Sequence, residues 1–347
     1  MSKSLGNVID PLDVMDGRSL KEMVSALAGG NLPKTEVKRA TASMKKAFPA
    51  GIEPCGSDAL RFTLCSYLQQ GRQINVDVQR IVATRHFCNK IWNLNRFAFM
   101  YIPPPSLSLA TNEPSGIVNS LLAGSSSSSS ASASPQSTRS MTLPQRWLLS
   151  RLAATVTTFD EGMATFSLAN ATGAIHSFLL SDICDVFVEV VKRQQQNSGV
   201  ADGASDAARV VQDNNAAVLH VAIDYALRLL HPFMPFLTEE LFQHRLHKGL
   251  VQQLLPPGAA NTAITAAEQE MSISTQSFPA PAVVAGWRDA DAELQMATVM
   301  QMVADARSQR HALEQADEGT RAIFRQSTNP VRLQVQPSAD HVQLFQR

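Results

Sequence analysis

No two of the four cysteines, Cys55, Cys65, Cys88 and Cys184, are spaced as a CxxC pair. That spacing suggests neither a zinc site nor a disulfide framework, and the usage is that of a reducing cytosol. His244 and His247 stand i,i+3 on an expected helix, but no Cys, Asp or third His is placed to complete a ligand set, so no metal is expected. No apolar run approaches the roughly 20 residues that span a bilayer. The start shows neither a signal peptide nor a basic amphipathic transit segment. A soluble cytoplasmic chain is therefore expected, with mitochondrial use as the alternative. Glycine-rich phosphate loops, heptad runs and internal repeats are also missing. Neither charge is in excess, with 30 Lys+Arg against 30 Asp+Glu, so bulk charge points to no partner.

What is present begins with the distribution of that charge. Residues 1–100 carry 14 Lys/Arg against 8 Asp/Glu, a net of +6, and the remainder carries the opposite −6. A basic first third can attract phosphates. The 347 residues, 44% hydrophobic, suffice for a sizeable core and two or three domains.

Helical patterning dominates. In SLKEMVSALAGGN, Ser19 and Glu22 form a capping box and Gly29–Gly30 end the helix. EVKRATASMKKAF is a second, basic helix. GSDALRFTLCSYLQQG is a third, with Ser57 expected as N-cap and Asp58 favouring the positive helix end. From Pro103 to Thr142 the composition falls to Ser, Pro and Ala, which reads as a flexible insertion. Helices resume at LPQRWLLSRLAATVTTFDEGM and run, with a polar interruption near QQQNSGVADGASD, to His231. Pro232 and Pro235 force an extended elbow there, and Thr238, Glu239 and Glu240 start the next helix. Residues 251–285 read as a second connector, and a helix over 291–315 precedes a strand candidate, VRLQVQP. The middle of the chain is all-α, an antiparallel bundle by element pattern.

The most informative helix is VDVQRIVATRHFCNKIWNLNRFAFMY. At about 100° per residue, Ile81, Phe87, Cys88, Ile91, Trp92, Ala98 and Phe99 are assigned to one face. Arg85, Asn89, Lys90, Asn93 and Arg96 fall on the other. That polar face is either a solvated helix side or a set of donors, free of acids, for phosphate and ribose oxygens.

Four stretches in order, MSKSLGNVIDP, FPAGIEPCGSDALRFTL, RHFCNKIWNLNRF and LHPFMPFLTEEL, closely resemble the valine–tRNA ligase family of class I aminoacyl-tRNA synthetases. FCNKIWN followed by RF, and ICDVFVE, look like the valine enzymes rather than their isoleucine-specific relatives. The resemblance implies ATP-dependent formation of valyl-adenylate, with Mg2+ in the complete enzyme, and transfer of the valyl group to its tRNA. It implies that Lys3 is the second lysine of the KMSKS loop, whose ammonium would stabilise charge building on the phosphates. Ser2 and Ser4 would hold phosphate oxygens or the loop's shape, and the loop would close and open over ATP. The tRNA for valine would lie along Arg85, Asn89, Lys90, Asn93 and Arg96.

The sequence departs from the family pattern by starting on the methionine of that motif and by holding no HIGH-like histidine motif. Leu179 and Phe242 stand where tryptophans are usual. The resemblance implies a mainly α fold. In it, 1–78 form the KMSKS loop and stem-contact region, 79–102 the first bundle helix, 103–142 a disordered insert and 143–250 the anticodon-binding helical bundle. The rest is a flexible connector over 251–285 and a partial α/β junction over 286–347. The expectation is a part of a valine–tRNA ligase that is inactive alone. The alternatives are a non-catalytic tRNA-binding or scaffold module and the isoleucine-specific relative.

Overall fold

The computed structural model describes residues 10–29, 33–68, 76–101, 118–119, 121–122, 141–197, 206–243 and 272–314. The chain begins there with α1 (Pro11–Met15), α2 (Leu20–Ala28), α3 (Lys34–Ala47), α4 (Ser57–Ser66) and α5 (Val78–Tyr101). The bundle follows with α6 (Leu143–Ala164), α7 (Leu168–Ser177), a π-helical stretch Phe178–Phe187, α8 (Val188–Asn197) and α9 (Asp206–Leu230). It ends with α10 (Pro235–Phe242), α11 (Pro281–Val284) and α12 (Ala290–Glu314). No strand occurs among the described residues. Arg18 and Ile52 form an isolated antiparallel bridge.

Local chemistry starts and stops these helices. The Asp10 carboxylate accepts the Leu12 N–H at 2.9 Å, with Pro11 at the first helical position. Both halves of the Ser19–Glu22 capping box are formed. The Ser57 cap is not formed: Gly56, at φ 81°, is the N-cap of α4 and Ser57 already lies inside the helix. A left-handed entry suits glycine, which has no Cβ to clash. Pro235 opens α10, so Thr238 sits within that helix rather than at its start.

The first four helices form one unit. Cys55 and Gly56 donate to the Val14 and Met15 carbonyls, both at 3.0 Å, while Arg18 and Ile52 exchange backbone bonds at 2.9 and 2.8 Å. Gly51 makes this possible. It sits at φ +89°, and a Cβ there would lie 2.4 Å from the Arg18 carbonyl oxygen.

In the bundle, α9 is central. Every residue from Asn214 to Leu230 is buried, as befits a helix apolar on nearly all sides. Its buried Asp224 and Arg228 pair at 2.9 Å, and Arg228 also donates to the Ser277 carbonyl at 3.0 Å. Amides join three helices: the buried Gln145 donates to the buried Asn215 at 2.7 Å, and Asn215 donates to the half-buried Gln194 at 2.6 Å. Such a network is costly unless satisfied and specifies a single register when it is. Leu179 and Phe242 are both 2% exposed and fill the same core.

Two segments expected to be flexible contribute to that core. Val118 and Leu121 of the Ser/Pro-rich stretch are buried, and Asn119 accepts from the Trp287 indole at 3.1 Å. Ile273 and Val284 of the second connector are buried as well. Average composition hides a few apolar residues that meet complementary surface. The last described helix joins the bundle too. Ala292 and Met296 of α12 are buried, Ser150 donates to Glu293, and the Asp289 N–H donates to the Ser150 hydroxyl at 2.9 Å. The VRLQVQP strand candidate and the His244–His247 pair lie outside the described residues.

Candidate nucleic-acid interface

Helix α5 presents the five donors together. Ile81, Thr84, Phe87, Cys88, Ile91, Leu94, Asn95 and Ala98 are buried, a three- and four-residue spacing that turns one stripe inward. Thr84 anchors it to α4 through a 2.7 Å hydrogen bond between its hydroxyl and that of Thr63. Arg85, Asn89, Lys90, Asn93 and Arg96 are all exposed on the outer side. Asn95, by contrast, turns its amide to the Ile91 carbonyl at 3.0 Å inside the core.

Trp92 corrects the sequence assignment. The projection at about 100° per residue places it with the inner face, yet it is 42% exposed. Its helical position explains why: Asn89 and Arg96 lie at i−3 and i+4, on the same side of the helix.

The charged side chains of α5 itself are all cationic. Helix α5 contains no acid, and among the described residues Arg85, Lys90 and Arg96 pair with no carboxylate. Lys192 of α8 lies 5.3 Å from the Phe97 ring centre and is paired with Glu189 at 2.8 Å. At the start of the helix Arg80 lies 4.5 Å over Tyr67. Burial, then the charges of Lys90 and Arg80, hold the His176 imidazole below its usual range. The Cys184 thiol is pushed up to about 11, by burial first and then by Asp185, with Lys90 and Lys192 acting in the opposite sense. Asp185 and Glu189 are thus carboxylates that share the neighbourhood of these cations. The arrangement can hold phosphate and ribose oxygens, with an aromatic ring beside them.

A second constellation escapes a reading of the sequence. Asp58 and Arg61 of α4 reach across to the elbow before α10. The Asp58 carboxylate accepts the Leu237 N–H at 2.6 Å and the Phe236 N–H at 3.5 Å, capping α10 from another helix. Arg61 donates to the Pro232 and Phe233 carbonyls at 3.0 and 3.3 Å. Burial raises the Asp58 carboxyl above the usual range, against the lowering effect of those two N–H groups and of Arg61. The available signal is the i,i+3 spacing within GSDALRF, which puts both side chains on one side of α4. Glu239 completes the elbow by accepting from Gln243, Ser272 and the Ile273 N–H.

Ser2, Lys3 and Ser4, assigned to ATP phosphates, lie outside the described residues. Among the described residues no group of three His, Cys, Asp or Glu could hold a metal ion.

Comparison with known proteins places these features in context. Residues 145–321 match the model of the anticodon-binding domain of tRNA ligase, and residues 1–77 match that of class I tRNA synthetases for isoleucine, leucine, methionine and valine. The valine–tRNA ligase of Homo sapiens is 37% identical over 334 residues, covering 93% of this chain and 22% of the relative. That of Mus musculus is 36% identical with the same coverage. The human mitochondrial valine–tRNA ligase is 32% identical over 335 residues, covering 95% of this chain and 26% of the relative. The chain therefore spans only a minor part of the length of the relatives it matches.

Proposed function

The chain belongs to the tRNA ligase family that carries the anticodon-binding domain, and from that membership we propose that it performs the tRNA-binding share of valine attachment. The whole reaction would join valine to ATP and pass the valyl group to its tRNA. The observation that carries the reading is the acid-free outer face of α5. Arg85, Lys90 and Arg96 project there without carboxylate partners among the described residues, beside Asn89 and Asn93. Phosphate contacts along it would position the RNA without reading sequence. Valine is favoured over isoleucine because the similar proteins above are valine enzymes. A cytoplasmic setting is favoured because the mitochondrial relative is less similar than the human and mouse enzymes not so named. Lys3, with Ser2 and Ser4, would serve the ATP phosphates, with Mg2+ supplied alongside the nucleotide.

The test is a filter-binding salt titration with the tRNA for valine. Replacing Arg85, Lys90 and Arg96 by alanine should weaken binding. It should also flatten the log–log salt slope by roughly 0.7–0.9 for each phosphate no longer neutralised. Non-cognate tRNA should respond equally. An unchanged slope would assign the face to solvent and remove this reading.

A further inference from the structure

We propose that Trp92 is a stacking platform for an unpaired base of the bound RNA. The inference rests on the tRNA-binding reading above and goes beyond it by naming the chemical group recognised. Of the three tryptophans, Trp147 and Trp287 are 2% and 3% exposed, whereas Trp92 is 42% exposed. A large ring left 42% exposed on a well-packed helix gives folding only part of what full burial would. Its neighbours decide what it can meet. Asn89 and Arg96 lie one turn away on either side, Arg85 a further turn towards the N-terminus, and all are exposed.

An apolar patch ringed by acids would suit a basic peptide, and one ringed by apolar residues a protein surface. Here the ring is set among guanidinium and amide donors on a helix without a carboxylate. Asp185 and Glu189 belong to neighbouring elements, and Glu189 is already paired with Lys192. Flat aromatic faces among cations are what unpaired nucleotides use. The backbone follows the charges while the base lies on the ring. Along its length a base-paired stem offers no free base face, so Trp92 meets a loop, bulge or single-stranded end rather than the body of a duplex.

The experiment uses the purified chain, the transcribed tRNA for valine, an unstructured RNA oligonucleotide and a blunt RNA duplex. Because the other two tryptophans are buried, emission quenched by acrylamide in the free chain belongs to Trp92. Adding tRNA or the oligonucleotide should shield it, and the duplex should not. Trp92→Ala should weaken binding of the first two ligands by roughly 5- to 150-fold and leave the salt slope unchanged. Trp92→Phe should stay near the parent. A single cooperative urea transition should show that the alanine variant folds, its midpoint lowered only by loss of the covered part of the ring.

Parent-like binding by Trp92→Ala would overturn the proposal, as would a flattened salt slope in that variant. A free chain whose emission already resists acrylamide would also overturn it. If Trp92→Ala binds like the parent while the triple basic variant loses slope, stacking fails and the interface stands. If both bind like the parent, the interface fails with it.

Discussion

The carboxylate of Asp58 accepts the Leu237 N–H at 2.6 Å across 179 positions of sequence, so that a side chain of α4 caps α10. With Arg61 on the Pro232 and Phe233 carbonyls, α4 holds the elbow from both ends. The region matching class I synthetases over 1–77 is thereby fastened to the one matching the anticodon-binding domain.

Asp58→Ala should therefore destabilise the chain by about 2 kcal/mol, combining a lost cap with buried N–H groups left unpaired. Asp58→Asn should cost less, since one acceptor oxygen remains and no charge has to be buried. Urea unfolding of both variants checks the order, and an alanine variant as stable as the parent would contradict the capping role.

Gly51→Ala should be more harmful than the addition of one methyl group suggests. The residue sits at φ +89°, and a Cβ would meet the Arg18 carbonyl oxygen at 2.4 Å. Either the backbone strain, about 1–3 kcal/mol, is accepted or the Arg18–Ile52 bridge opens. Amide exchange at Arg18 and Ile52 should accelerate in this variant.

Phe166 offers the opposite case. It ends α6 in a left-handed conformation at φ 57°, and its side chain is 87% exposed. The Ser167 N–H reaches the Gly162 carbonyl at 2.8 Å, as in a Schellman cap. Asparagine tolerates that conformation better than phenylalanine. Phe166→Asn should raise stability by roughly 0.5–1 kcal/mol, and Phe166→Val should lower it. A thermal melt separates the two outcomes.

Two carboxyls at the elbow respond oppositely to pH. For Glu239 burial alone would raise the group, but hydrogen bonds from Gln243, Ser272 and the Ile273 N–H hold it below the usual range. Its contribution is present above the ordinary glutamate range and lost as pH falls through its lowered value. Asp58, raised by burial, contributes stability that is present below the ordinary aspartate range and lost as pH rises through its raised value. Urea midpoints between about pH 3 and 7 should show a shallower acid loss in Glu239→Gln than in the parent. An identical acid limb would remove Glu239 from the account.

Much of the fold was legible because its determinants are local. The Ser19–Glu22 box, the three- and four-residue apolar spacing of α5, and the prolines of the elbow each act within a turn or two of chain. The exposure of Arg85, Asn89, Lys90, Asn93 and Arg96 follows from the same periodicity; that of Trp92, at the edge of the apolar stripe, does not. Tertiary structure alone decided the rest. Asp58 reads as a helix-start residue until the distant α10 arrives to use its carboxylate. Val118 and Leu121 look like parts of a polar insert until the bundle supplies an apolar surface for them. A sequence sets which groups are available within a helical turn; which distant group each one meets depends on packing, because only the folded chain brings them within hydrogen-bond or van der Waals reach.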